Sequence, residues 1–357
     1  MTRVAARINP PDSTDRERLQ AGLKGRLDVN EPGSMVQTER LAADEAGLAR
    51  AAAILRRGGL VAFPTETVYG LGADATRVEA VTGIYAAKDR PRFNPLISHV
   101  DTVEAARAQG LFDDAALRLA RAFWPGPLTL VVPASPDCTI CDLARAGLDS
   151  VGLRVPSHPL ARRLLSAFGR PVAAPSANRS GRVSPTSADH VLVDLDGRID
   201  AVLDGGATEV GVESTIIACL DGTVRLLRPG GVPREAIEEV IGRALDVAPA
   251  DAEAPLAPGM LASHYAPRAK VRLNAVTIAP GEAALLFGAV PPAGLERAEA
   301  FRNLSKKGDL REAAARLFSA LRSLDAASVS AIAVSPIPED GLGEAINDRL
   351  RRAAVGR

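Results

Sequence analysis

Asp221-Gly222 is the pair of residues that most restricts the architecture open to this chain. It separates two apolar runs, Thr215 to Cys219 and Val224 to Leu227, and an Asp-Gly pair accepts the backbone angles that a tight antiparallel hairpin demands. The remainder of the chain alternates short apolar runs with segments of helical period, the pattern of strands connected through helices. A hairpin set inside that alternation predicts an α/β fold built on a mixed twisted sheet with flanking helices.

The elements follow from local chemistry. Leu41, Leu48, Ala52 and Leu55 stand at helical spacing, and Arg56 and Arg57 before Gly58 and Gly59 suit a helix C-terminus. Leu60 to Phe63 predicts a buried strand that opens at Pro64 into a polar, Gly-rich loop, PTETVYGLGADA. Helices are expected over about 78–88, 101–109, 113–123, 160–168, from 187 and over 234–241, with strands at 96–100, 128–132, 151–155 and 171–174. Pro249, Pro255, Pro258 and Pro267 then space out a stretch without periodicity, which reads as a semi-rigid linker. Beyond it, strands near 270–274, 283–287 and 331–334 and helices at 310–324 and 344–353 predict a smaller, Rossmann-like α/β unit. With 357 residues the chain suits two domains. The expected division is a flexible tail over 1–34, a main domain over 35–247, a linker over 248–268 and a C-terminal domain over 269–357.

Charge and motif exclude several functions. Lys plus Arg and Asp plus Glu both total 43, so no whole-chain field draws the protein to nucleic acid or to an anionic membrane. No apolar run is long enough to cross a bilayer and residues 1–34 lack a signal-like stretch, so a cytoplasmic location is expected, with no membrane partner. Cys138-x-x-Cys141 has no second pair to complete a zinc site, and these thiols read as structural or incidental; no metal ligands are assigned. No GxxxxGK[ST] loop occurs, and Gly70-Leu-Gly72 lies too far along a polar loop to be a dinucleotide fingerprint. Ser176 lacks the GxSxG elbow of a serine hydrolase.

What remains is a set of cations and small polar groups at strand ends. Ser176, Asn178, Ser180, Gly181 and Ser184 offer hydroxyl, amide and backbone donors along one loop, a composition able to cradle phosphate oxygens. Lys88, Arg90 and Arg92 precede one strand and Arg228 follows another. Arg154 sits within the strand pattern Val-Gly-Leu-Arg-Val, where a charge requires a partner or an anionic ligand, and His99 ends a similar pattern. Together they suit an anionic ligand such as a nucleotide plus a carboxylate.

FPTETVYGLGADA, AKDRPRFNPL, FWPGPLTLVV, GLRVP, APSANRSGRVSPT, GVESTI and LRPGGV, in that order between about 43 and 245, resemble the YrdC-like threonylcarbamoyl-AMP synthase family. PGMLASHYAP and the smaller unit after it resemble the longer, two-domain branch. The resemblance implies a reaction of L-threonine, bicarbonate and ATP, with Mg2+ accompanying ATP, and a product used by a separate transferase that modifies tRNA. It implies Thr67, His99, Arg154, Ser214 and Ser150 around threonine. It also implies Arg90, Asn94, Ala174, Ser176, Ser184, Arg228 and His264 around ATP, with Lys88 and Asn178 lining the phosphates and Lys88 and Arg90 as the catalytic cations. A linker carrying His264 and Tyr265 would close over the nucleotide. Two other functions fit the same core: a carbamoyl transferase of hydrogenase maturation, disfavoured by the presence of only three cysteines, and an RNA-binding module in direct contact with tRNA, disfavoured by zero net charge.

Overall fold

In the computed structural model the described residues are 37–91, 94–246, 265–327 and 329–355. The expected tail and most of the expected linker, His264 included, lie outside them.

Ten strands form the larger sheet: β1 (Glu39–Leu41), β2 (Val61–Phe63), β3 (Gly70–Asp74), β4 (Ile97–His99), β5 (Leu128–Pro133), β6 (Ser150–Arg154), β7 (Val172–Ala173), β8 (Ala201–Leu203), β9 (Thr215–Leu220) and β10 (Thr223–Arg228). Their spatial order is β1-β8-β2-β3-β7-β4-β6-β5-β9-β10. The sheet is mixed, as the hairpin requires: β9 and β10 are antiparallel across Asp221-Gly222, whereas β4 and β6, and β5 and β9, run parallel. Side-chain alternation distributes each strand between two cores. Val61 and Phe63 pack with the helices Glu45–Arg56 and Pro159–Phe168, while Ala62 between them faces the helices on the opposite side. Helix starts are set by the residues the sequence offers for capping. The side chains of Asp44, Thr102, Asp113 and Ser187 each accept a hydrogen bond from a first-turn backbone N–H.

Three strands of the larger sheet differ from expectation. Gly70–Asp74, expected as loop, is the fully buried strand β3, antiparallel to β2. Its glycines make room: a Cβ on Gly72 would stand 2.8 Å from the Phe63 ring and 3.0 Å from Val172. Leu41, read as the start of the first helix, belongs to β1 at the sheet edge. β8, on which β1 and β2 both pair, has only three residues and went unpredicted.

A second sheet holds β11 (Lys270–Arg272), β12 (Glu282–Leu286), β13 (Ala300–Asn303) and β14 (Ala331–Val334) in the order β11-β14-β12-β13, all parallel. The helices Leu310–Asp325 and Leu342–Ala354 belong to it. Its core is continuous with the larger unit: Val68, Val183 and Val212 cluster with Tyr265, Leu317, Phe318 and Ile346. Gly211, at φ +75°, marks a close approach between them. A Cβ there would meet the Ala314 carbonyl oxygen at 2.4 Å, so neither the angle nor the space admits a side chain. The smaller unit is thus packed onto the loops that carry Val68, Val183 and Val212, of which Val68 itself lines the candidate site and Val212 directly precedes Glu213 and Ser214 of its lining.

Candidate functional site

Parallel pairing of β4 and β6 brings His99 and Arg154 into register, and antiparallel pairing of β4 and β7 sets Val172 opposite His99, so the chain leaving β7 passes beside both. That chain is Ala174-Pro-Ser-Ala-Asn178. Ser214 immediately precedes β9 and Arg228 ends β10, where the register slips by one residue after Leu226, an irregularity that re-aims the last side chain. Thr65, Thr67, Val68, Gly70, Arg90, Ile97, His99, Arg154, Ala174, Ser176, Glu213, Ser214, Arg228 and Tyr265 line one hollow.

Its first wall is the PTETV turn. The Thr65 hydroxyl donates to the Val68 carbonyl at 2.6 Å, accepts from the Val68 N–H at 3.2 Å and lies 2.8 Å from the Thr67 hydroxyl, a local ring of bonds that fixes the turn. Glu66 points away from solvent: one carboxylate oxygen meets Arg154 Nη2 at 2.5 Å and the other accepts from the Ser157 N–H at 3.1 Å. Both side chains of this ion pair are 5% exposed. Glu66 is therefore the partner that a buried Arg154 required. Arg154 Nε donates to the Gly126 carbonyl at 3.3 Å, and Nη1 makes no hydrogen bond among the described residues.

The second wall is the Ala174–Asn178 loop, and here the structure departs from the sequence reading. Lys88 is 1% exposed and does not line the hollow; its ammonium donates to the Ser176 carbonyl at 2.5 Å and to the Asn178 carbonyl from behind the loop. The Asn178 amide likewise turns into the loop, donating to the Arg179 and Arg182 carbonyls at 2.9 and 2.8 Å. Three further residues assigned from the sequence lie off the lining. Ser184 is buried, with its hydroxyl donating to Glu213 at 2.5 Å. Asn94 is buried, and its side-chain oxygen lacks a partner among the described residues. Ser150 begins β6, four residues from Arg154, about 13 Å along an extended strand. Thr67, His99, Arg154, Ser214, Arg90, Ala174, Ser176 and Arg228 are the assigned residues that come together.

Glu66, Thr129, Glu213 and Arg349 were missed, whereas Tyr265, expected in the linker, lines the hollow. Ser214 Oγ sits 2.8 Å from the Thr129 hydroxyl, and the Ser214 carbonyl accepts from Arg228 Nη2 at 2.8 Å. A buried arginine in a strand predicts a buried acid somewhere, but no local pattern says which one; Arg349, far along the chain, carried no signal at all.

The electrostatics are those of an anion site. Burial lowers Arg90 to about 10, and Arg228 is lowered from its ordinary value first by burial. Burial, then the neighbouring Arg154 charge, hold His99 at about 3, so its imidazole is neutral at physiological pH and its ring nitrogens can accept or donate without adding charge. His190 is held at about 4 by burial and by Arg322. An unfolded histidine titrates near about 6.5, so as pH falls below that value the unfolded chain binds protons that the folded chain refuses, and stability present at higher pH is lost. The expected result in urea is a loss of stability from about pH 7 to about pH 5, of which His99→Gln removes roughly 2 kcal/mol. An equal loss in the variant and the parent overturns the assignment to His99.

Among the described residues no group of three or more His, Cys, Asp or Glu is placed to hold a metal ion, and no helix is long and apolar enough to cross a membrane. Cys138, Cys141 and Cys219 are free thiols.

Comparison with known proteins places this geometry. Residues 53–230 match a family model described as telomere recombination, and residues 232–355 match one described as the threonylcarbamoyl-AMP synthase C-terminal domain. A threonylcarbamoyl-AMP synthase of Bacillus subtilis is 43% identical over 90% of this chain and 96% of its own, and one of Schizosaccharomyces pombe is 36% identical over 86% and 88%. The crystal structure of Pyrococcus abyssi Sua5 complexed with L-threonine superposes with a TM-score of 0.80 at 39% identity, covering 89% of this chain and 97% of that one.

Proposed function

We propose the following reaction from the premise that the chain belongs to the threonylcarbamoyl-AMP synthase family. L-threonine, bicarbonate and ATP give threonylcarbamoyl-adenylate, pyrophosphate and water. The observation that carries the reading is the convergence of Arg90, Arg154 and Arg228 with the Thr67 and Ser214 hydroxyls and a neutral His99 on one hollow.

Threonine's amine takes up the carbon of bicarbonate as a carbamate, and a carbamate oxygen attacks the α-phosphorus as the bond to the β-phosphate breaks and pyrophosphate leaves. The carbamate is already anionic, so the step needs no strong general base; the obstacle is the repulsion between two anions. Guanidinium groups fixed before the substrates arrive reduce it without reorganisation during the reaction. In this assignment Arg154, oriented through Nη2 by Glu66, offers its remaining edge to the threonine carboxylate. Thr67, His99 and Ser214 surround the rest of the amino acid. Arg90 and Arg228 face the phosphates, with Ser176 and the Ala174 backbone beside them. Lys88 and Asn178 act from behind as braces of that loop. Glu213 of the lining and Glu66 behind it are both engaged by arginines, so Mg2+ would be held through ATP's own phosphate oxygens. The main domain over 35–247 carries this site and the unit over 269–357 supports it; the product serves a cytoplasmic transferase that modifies tRNA.

The test is pyrophosphate release from ATP with threonine or bicarbonate omitted in turn. Release falls to background in either case if the assignment holds. Release that continues without threonine, or salt-dependent RNA binding with no nucleotide chemistry, overturns it.

A further inference from the structure

We infer that Arg349, on the last helix of the smaller unit, is a positioning residue for the nucleotide side of the hollow, acting through Glu213. The inference rests on the synthase reading above.

Arg349 has no exposed surface and is the largest fully buried side chain among the described residues. Its Nε donates to Glu213 Oε2 at 2.8 Å, its Nη2 to the Pro229 carbonyl at 3.0 Å and its Nη1 to Asp348 at 2.5 Å. The guanidinium carbon lies 5.2 Å from the centre of the Tyr265 ring, which stacks on Phe318 at 5.6 Å. Glu213 and Pro229 are the immediate neighbours of Ser214 and Arg228. One side chain from the end of the chain therefore ties together the two backbone segments that present a hydroxyl and a guanidinium to the ligand. Those segments are already in tight contact: the Gly231 N–H donates to the Glu213 carbonyl at 3.0 Å, and a Cβ on Gly230 would stand 2.4 Å from that same oxygen.

The charges make the tie more than mechanical. Glu213 lines a hollow meant for anions, which is tolerable only while its charge is cancelled. Burial alone would raise the Glu213 carboxyl, but Arg349 and Arg228 outweigh it and hold the group at about 2. Arg349 and Arg228 in turn repel each other across the glutamate, with Asp348 and Tyr265 as the other ionisable neighbours. If Arg349 is removed, Glu213 keeps, among the described residues, Arg228 as its cationic partner, so it draws that guanidinium away from the triphosphate and places negative charge beside it.

The experiment is steady-state pyrophosphate release by the full chain, with KM measured separately for ATP and threonine. Arg349→Met is expected to raise the ATP KM roughly tenfold or more while the threonine KM stays within about threefold. Adding Glu213→Gln removes the stranded carboxylate, and the double variant recovers most of the ATP affinity. A purely structural role predicts instead that both KM values hold and only the thermal midpoint drops, or that both rise together; either result overturns the inference. Should Arg349→Met fail to fold, Arg349→Lys decides. It keeps the charge and loses the fork, so an ATP KM raised selectively supports the inference and an unchanged one overturns it. Parent protein that releases no threonine-dependent pyrophosphate refutes the synthase reading instead, before any variant is compared.

Discussion

Arg154→Ala raises the threonine concentration for half-maximal pyrophosphate release by roughly a hundredfold and leaves the ATP requirement within about threefold. The asymmetry follows from position. Arg154 ends β6 beside His99 and is oriented by Glu66, whereas Arg90 approaches from the loop after the helix Val78–Lys88 and Arg228 from the end of β10, and both keep their own contacts when Arg154 is gone. The substitution also strands the Glu66 carboxylate in a site 5% exposed, a loss of about 3–5 kcal/mol of folding stability if nothing compensates. A second variant separates the two effects. Pairing Glu66→Gln with Arg154→Met removes both charges, so stability recovers while the threonine defect persists. Equal rises in the ATP and threonine requirements would contradict the role given to Arg154.

Lys88→Met has the other large effect, and its pattern distinguishes two ways in which a lysine can serve a nucleotide site. A lysine touching phosphate loses more for ATP than for ADP, and more for ADP than for AMP. Lys88 instead holds the carbonyls of Ser176 and Asn178 from behind the loop, so its removal takes the lysine donor from the buried Asn178 carbonyl, leaves the Ser176 carbonyl with the Asn178 N–H at 3.0 Å, and loosens the loop itself. The expected result is a weakening of roughly tenfold or more that is nearly equal for AMP, ADP and ATP, accompanied by about 2–4 kcal/mol of lost stability. Burial and the neighbouring Arg90 charge both lower the Lys88 ammonium well below its ordinary value, so its position depends on the two carbonyls it serves. A loss that grows with each added phosphate would return Lys88 to the ligand's surface.

These two lysine and arginine cases mark where the sequence is readable. A charge inside an apolar strand pattern announces itself, because its burial requires a partner; Arg154 was found that way. Lys88 was read as a phosphate ligand because residue type and motif say nothing about which side of a loop an ammonium occupies. Strand and helix alternation was visible wherever an element was long enough to show its period, as in Leu128–Pro133 or Leu310–Asp325. It failed for β1 and β8, three residues each, whose existence depends on pairing across some 160 positions. It failed again at Gly70–Asp74, where glycines that signal a loop on a surface signal a close-packed strand beneath Phe63. Glu213 and Arg349, separated by 136 positions, belong to the same class of long-range fact.

That separation has a consequence for synthesis. Translation proceeds from the N-terminus, so every strand of the larger sheet and the whole Ala174–Asn178 loop leave the ribosome more than a hundred residues before Arg349 does. Until the last helix emerges, the nascent sheet carries an acid at residue 213 that has Arg228 but not yet Arg349 as a counterion. The helix Leu342–Ala354 is therefore a completion step for the pocket, and a chain released before it would display the hollow with its charge balance unset.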